Sequence, residues 1–260
     1  MILSRAFALW RTALRSHAVW SAALWNAVFS WLFILITELA NPQISSRLFP
    51  QADSLSEVYI YHPHLLAVRN VLELITVLAV GPWVLSGVYG ILGQVIADAQ
   101  VSWQSFGRLA RIFYGRLWGL FLFIWIWMLG LGVLGFMVLA ILHGFGFLVV
   151  IILSILSLPG LVRMTGGLFV NRLSWTDSFA DVFNRSGYTF LLIGALLGLL
   201  ISTILGGIGL TLMTTLAGLI VYDLILVVLS ITLPLWFFSL YRASTSVSPY
   251  GWIHDEIERG

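Results

Sequence analysis

LWGLFLFIWIWMLGLGVLGFMVLAI, residues 117–141, holds no acidic or basic side chain, and its reading decides the fold class. Wound as an α-helix it rises about 37 Å, enough to cross a hydrocarbon core of about 30 Å. A soluble domain built around such a run would need a charged surface, and this chain cannot supply one. Hydrophobic residues fill 60% of the 260 positions and charged residues only 9%, against roughly a quarter in soluble domains. With mean hydropathy at +1.01, lipid is the solvent these runs require.

Working outward, Phe147 to Met164 is the next crossing, joined to 117–141 through His143-Gly144-Phe145-Gly146. So short a link predicts a tight turn and a packed hairpin. On the other side, Leu65 to Ala97 would be about 50 Å long as one straight helix, so it must tilt, kink or emerge. Gly81-Pro82 lies midway, and proline removes an amide donor and crowds the preceding turn, which predicts a kink there. Between them, Ser102 to Arg116 alternates Trp103, Phe106, Leu109 and Phe113 with Gln104, Arg108 and Arg111, the pattern of a helix lying flat on the membrane.

The remaining crossings are Ala18 to Ala40, ended by Asn41-Pro42, then Thr189 to Leu205 and Leu210 to Tyr241, divided by a turn at Gly206-Gly207. The expected fold class is therefore all-α: a polytopic membrane helix bundle of about six transmembrane helices with short amphipathic interfacial helices. It forms a single membrane domain over 1–260, with an interfacial lead-in at 1–17, the bundle at 18–241 and a tail at 242–260. No compact cleavage signal follows the first apolar run, so that helix is expected to be retained.

All 13 basic residues are arginine, a usage that fits a GC-rich bacterial genome and a bacterial inner membrane. They interrupt apolar runs instead of clustering on a soluble face, which argues against nucleic acid as a partner. Counted in short loops, Arg5, Arg11, Arg15, Arg108, Arg111, Arg116, Arg172, Arg185, Arg242 and Arg259 fall on one side and Arg47 on the other. The positive-inside rule then places the chain in the cell membrane with both termini cytoplasmic. The polar connection 41–64 lies outside.

The two inner loops resemble each other: SWQSFGRLAR from Ser102 and SWTDSFADVFNR from Ser174. Each serine is suited to cap a surface helix, Asp177 stands at capping-box spacing, and Trp103 and Trp175, with Arg108 and Arg111, are candidate interfacial anchors. The pair indicates either an internal duplication about an axis along the membrane normal or a coincidence in a tryptophan-rich chain.

Motifs of catalysis are missing: no HExxH, P-loop, Rossmann fingerprint or GxSxG elbow occurs, and the chain has no cysteine. No enzyme activity, cofactor or metal is expected. His62 and His64 are close in sequence, but an ordinary solvated loop accounts for them better than a metal site.

Ionisable residues at membrane depth are more informative, because a charge in hydrocarbon faces a partner or a cavity. Arg69 and Glu73 are four apart near the outer end of their helix, as an interfacial ion pair or a polar substrate entrance. Arg163 and Asp223 lie within apolar sequence, as structural or snorkelling charges or as the lining of a polar pathway. These four are the candidate buried polar or ligand-pathway residues.

GPWVLSGVYG at 81–90, the amphipathic inner loop, Pro159 within the Phe147 to Met164 crossing and NRLSWTDSFADVFNRS at 171–186 together resemble a broad group of bacterial six-helix membrane proteins. That group is related to the membrane domain joined to some glycerophosphodiester phosphodiesterases. The resemblance implies a helical membrane domain. It carries no catalytic residue here, since the soluble phosphodiesterase domain has no counterpart. The functional expectation is a non-catalytic scaffold or partner subunit that packs with membrane lipids, other membrane proteins or itself. The alternative is a small transporter or permease with a polar pathway near Asp223 and Arg163.

Overall fold

The computed structural model describes residues 2–38, 63–97, 101–142, 145–212 and 216–245. Every regular element among them is helical. In chain order they are α1 (Ile2–Ala13), α2 (His17–Glu38), α3 (Pro63–Ile75), α4 (Gly81–Ile96), α5 (Phe106–Leu142), α6 (Phe145–Phe169), α7 (Trp175–Val182), α8 (Tyr188–Leu212) and α9 (Leu216–Thr245). Five helical stretches among the described residues are long and apolar enough to cross a membrane: Asn70–Ile96, Phe106–Ile141, Gly146–Phe169, Tyr188–Thr211 and Ile220–Thr245. The expected first crossing corresponds to α2, whose side chains beyond Leu32 lie outside the described residues. The molecule is a multi-pass, all-α helix bundle.

Where a kink was expected, the helix stays continuous but widens into a π-helical turn, Thr76–Val80, between α3 and α4, where the Gly81 amide reaches back to Thr76 O. Its cause is local. Pro82 has no N–H, so Leu78 O loses its helical donor, and the widened turn lets the chain pass the ring. The hydroxyl of Tyr114, on α5, stands 3.5 Å from that orphaned oxygen.

Two other expectations need correction. Ser102–Arg116 does not form a separate surface helix: after a 3-10 turn at Trp103–Ser105, α5 runs unbroken from Phe106 to Leu142. The apolar face of its first turns, Phe106, Leu109, Phe113 and Leu117, is buried in the bundle, and that packing outweighs a surface position. Nor does the chain turn at Gly206-Gly207, because α8 continues through both to Leu212. Two glycines weaken a helix by only about 1 kcal/mol each, and lipid rewards keeping backbone hydrogen bonds internal.

The core lies toward the end of the bundle where most of the described arginines gather. α4 is central and touches α2, α5, α6 and α9. In lipid, apolar burial brings helices together less than close backbone approach does, and α4 carries Gly87, Gly90 and Gly93 for that purpose. A methyl group at Gly87 would stand 2.7 Å from the Phe106 ring, one at Gly90 2.7 Å from Phe113, and one at Gly93 would overlap the Phe169 carbonyl. Ser86, wholly buried, sits 2.8 Å from Ala110 O across the same contact.

α1 is amphipathic, with Ala6 and Ala13 buried and Arg5 and Arg11 exposed. It is docked along α9, where Trp10 Nε1 donates to Thr232 O at 3.2 Å. α5 packs mainly on α4 and α6, and α8 mainly on α9. On α5, Trp125 is 71% and Phe136 77% exposed.

The packing sorts the glycines. Gly93→Leu drives a side chain into the α6 backbone, overpacking that costs about 1–3 kcal/mol or more. The thermal aggregation midpoint of the detergent-purified protein should fall by several degrees. Gly130→Ala, with nothing within 4 Å of the added carbon, should leave it unchanged or slightly higher.

Candidate functional site

The polar chemistry of the described structure collects where α6 ends. Four terminal carbonyls of a helix lack intrahelical donors, and here each is met individually. Val170 N reaches Gly166 O at 2.8 Å and Leu173 N reaches Gly167 O at 2.9 Å. Arg116 Nη1, from α5, donates to Leu168 O at 3.2 Å, and Gln94 Nε2, from α4, donates to Phe169 O at 2.9 Å. Cationic groups also suit the negative end of the helix dipole.

Gln94 is buried, and its own carbonyl oxygen is in turn held by Arg172, whose Nε lies 2.7 Å away and whose Nη2 makes a second contact. To reach it, Arg172 adopts a left-handed backbone with φ of 53°, a conformation that costs a non-glycine residue of order 1 kcal/mol. Arg116 lies with its guanidinium 5.2 Å from the centre of the Phe113 ring.

A second cluster surrounds Arg163 on α6, which is only 2% exposed. A buried guanidinium costs several kcal/mol unless paired. α7 supplies the partner. Ser174 caps that helix, accepting from Asp177 N at 3.1 Å, as expected, while the Asp177 carboxylate meets the Ser174 hydroxyl at 2.5 Å in place of the backbone N–H of a capping box. The helix so started brings Asp181 Oδ1 to 3.0 Å from Arg163 Nη1, while Arg163 Nη2 donates to Ser186 O. Asn184 Nδ2 adds a 3.3 Å contact to the same carboxylate oxygen. Tyr241, from α9, stands beside this ion pair and accepts from Asn171 Nδ2 at 3.1 Å. Gly166 makes room for its ring, since a methyl group there would overlap Tyr241.

Arg163 and Asp223 are not brought together. Arg163 lies at the level of Tyr241, and Asp223 is eighteen residues earlier on α9, about 27 Å along the helix. Among the described residues Asp223 has no hydrogen bond or ion pair. A single polar path lined by both residues is therefore not assembled here. Glu73 is half-buried and has a contact of its own, whereas the Arg69 side chain lies outside the described residues.

Of the expected anchors, Arg108 and Arg111 are exposed on α5, and the Trp103 side chain lies outside the described residues. Trp175 stacks on Phe179 at 5.8 Å and lies over Gly119, where a methyl group would collide with its indole. The Ser-Trp segments differ in outcome, since one opens into the long α5 and the other into the short α7. His62 and the side chain of His64 also lie outside the described residues, and no group of three metal-ligating residues occurs among the described ones.

Sequence reading missed Gln94, Arg172 and Asp181. An amide inside GILGQVIA was the one available signal; nothing in the eighteen-residue spacing of Arg163 and Asp181 announces their pairing. Together fold and site define a multi-pass helical membrane protein whose polar contacts fasten one end. No protein-family model, curated protein or solved structure matches the chain.

Arg163→Gln strands the Asp181 carboxylate, and loss of one partner of a buried pair costs about 3–5 kcal/mol. Stability in detergent should fall sharply, and the double variant Arg163→Gln/Asp181→Asn should recover part of the loss. Strictly additive losses would show that the two side chains are not coupled.

Proposed function

We propose that this protein is a non-catalytic scaffold or partner subunit of a membrane assembly, held in the cell membrane with its arginine-rich end and both termini in the cytoplasm. The observation that carries the reading is the bare stretch of α5 from Trp125 to Gly130, six successive exposed residues that cover more than a full turn. Over that turn none of the side chains is buried among the described residues. The tryptophans and methionines on this flank, Trp125, Trp127, Met128 and Met137, are residue types enriched where proteins meet.

Asp223 supports the same reading. A carboxylate within an apolar helix and without a partner among the described residues suits a cationic side chain brought by a neighbouring helix. Transport, the competing reading, retains Asp223 as a polar group at membrane depth but loses Arg163, whose charge is already balanced by Asp181.

A photoreactive residue at position 125 should yield a discrete protein adduct in native membranes, and the same residue at buried position 91 should not. Lipid adducts alone at 125 would defeat the assembly reading. Solute flux in proteoliposomes that disappears in Asp223→Asn while folding is retained would replace it with transport.

A further inference from the structure

The π-turn leaves a groove on the surface between it and α5, about 490 Å³ in volume and lined by Ala79, Val80, Trp83, Arg111 and Tyr114. Its walls follow from features already described. The widened turn at Thr76–Val80 sets back the backbone, and Pro82 fixes the start of α4. Trp83 meets the Phe106 ring edge-on at 5.5 Å, and Phe106 is stacked on Trp25 at 4.9 Å. The apolar floor is therefore held by an aromatic cluster from three helices.

The groove is chemically two-sided. Ala79, Val80 and the face of Trp83 offer an aliphatic and aromatic surface with nothing to hydrogen-bond. On the α5 side stand the Arg111 guanidinium and Tyr114, whose hydroxyl is directed at Leu78 O. Arg111 has no carboxylate partner among the described residues, and Arg108, one turn earlier and also exposed, adds positive charge on the same helix. A ligand that fits carries an anionic group and a hydrocarbon chain on the same molecule. In a membrane-spanning protein that description is met by an anionic phospholipid.

We propose that this groove binds one anionic phospholipid, its phosphate on the Arg111 guanidinium and an acyl chain along Val80 and Trp83. Arginine is suited to the role because its planar fork donates two parallel hydrogen bonds to phosphate. Tryptophan is at home where hydrocarbon meets headgroup. The charge complementarity selects the headgroup, and the apolar wall selects a lipid over free phosphate.

The test is native mass spectrometry of the detergent-purified full chain titrated with phosphatidylglycerol, and in a parallel series with phosphatidylcholine. One tightly retained phosphatidylglycerol is expected, with phosphatidylcholine weaker. Arg111→Gln should weaken retention of phosphatidylglycerol by about tenfold or more, as expected for loss of a charge-assisted contact, and should abolish the preference between the lipids. Trp83→Ala should weaken both. Arg5→Gln, on α1 and outside the groove, should change neither. Inorganic phosphate at millimolar concentration should not displace the lipid. Unchanged retention and preference in Arg111→Gln, or displacement by inorganic phosphate, would overturn the proposal.

Discussion

A carbonyl oxygen that loses its helical donor away from water must be given another, and much of this structure is organised by that need. Pro82 deprives Leu78 O, and a tyrosine on the neighbouring helix stands over it. The end of α6 exposes Leu168 O and Phe169 O, and an arginine and a glutamine come from two other helices to meet them. Each repair is also a tie between elements. The breaks in the helices thereby become the points at which the bundle is fastened.

These ties explain why the core is one-sided. In lipid an exposed leucine carries little penalty, so apolar surface alone does not draw helices together. Close packing occurs where glycine admits a neighbour or a polar group demands a partner. Both conditions hold around α4 and the end of α6, where Gly93 touches the Phe169 carbonyl and Gln94 donates to it. Neither holds at Gly130 or Gly132, which face open space. The rest of the helices are free to present themselves to lipid or to other proteins.

Membrane embedding, the helical class and a helix irregularity beside Gly81-Pro82 were legible in the sequence, because each follows from composition, run length or the covalent nature of proline. The Ser174 cap was legible because capping is local. The continuity of α5 was not, since an amphipathic start reads alike whether its apolar face meets the headgroup layer or a neighbouring helix. The turn assigned to Gly206-Gly207 failed for a related reason: glycine breaks helices readily in water and far less readily in lipid. For the candidate site, Arg163 stood out as a charge in apolar sequence, but its partner, Asp181, lay in an ordinary-looking polar loop. Only the folding of α7 back on α6 gives the two a common position.

The unbroken course of α5 has a mechanical side. It contains no proline and rises about 55 Å, anchored at one end through Phe106, Phe113 and Arg116 and paired only with α6 toward the other among the described residues, where Gly135 lies against Val150. Such a rod acts as a lever. A tilt of about 10° at the fastened end carries Ile141 roughly 10 Å sideways, which is the width of a neighbouring helix. Small adjustments among the arginines are thereby magnified on the opposite side of the bilayer.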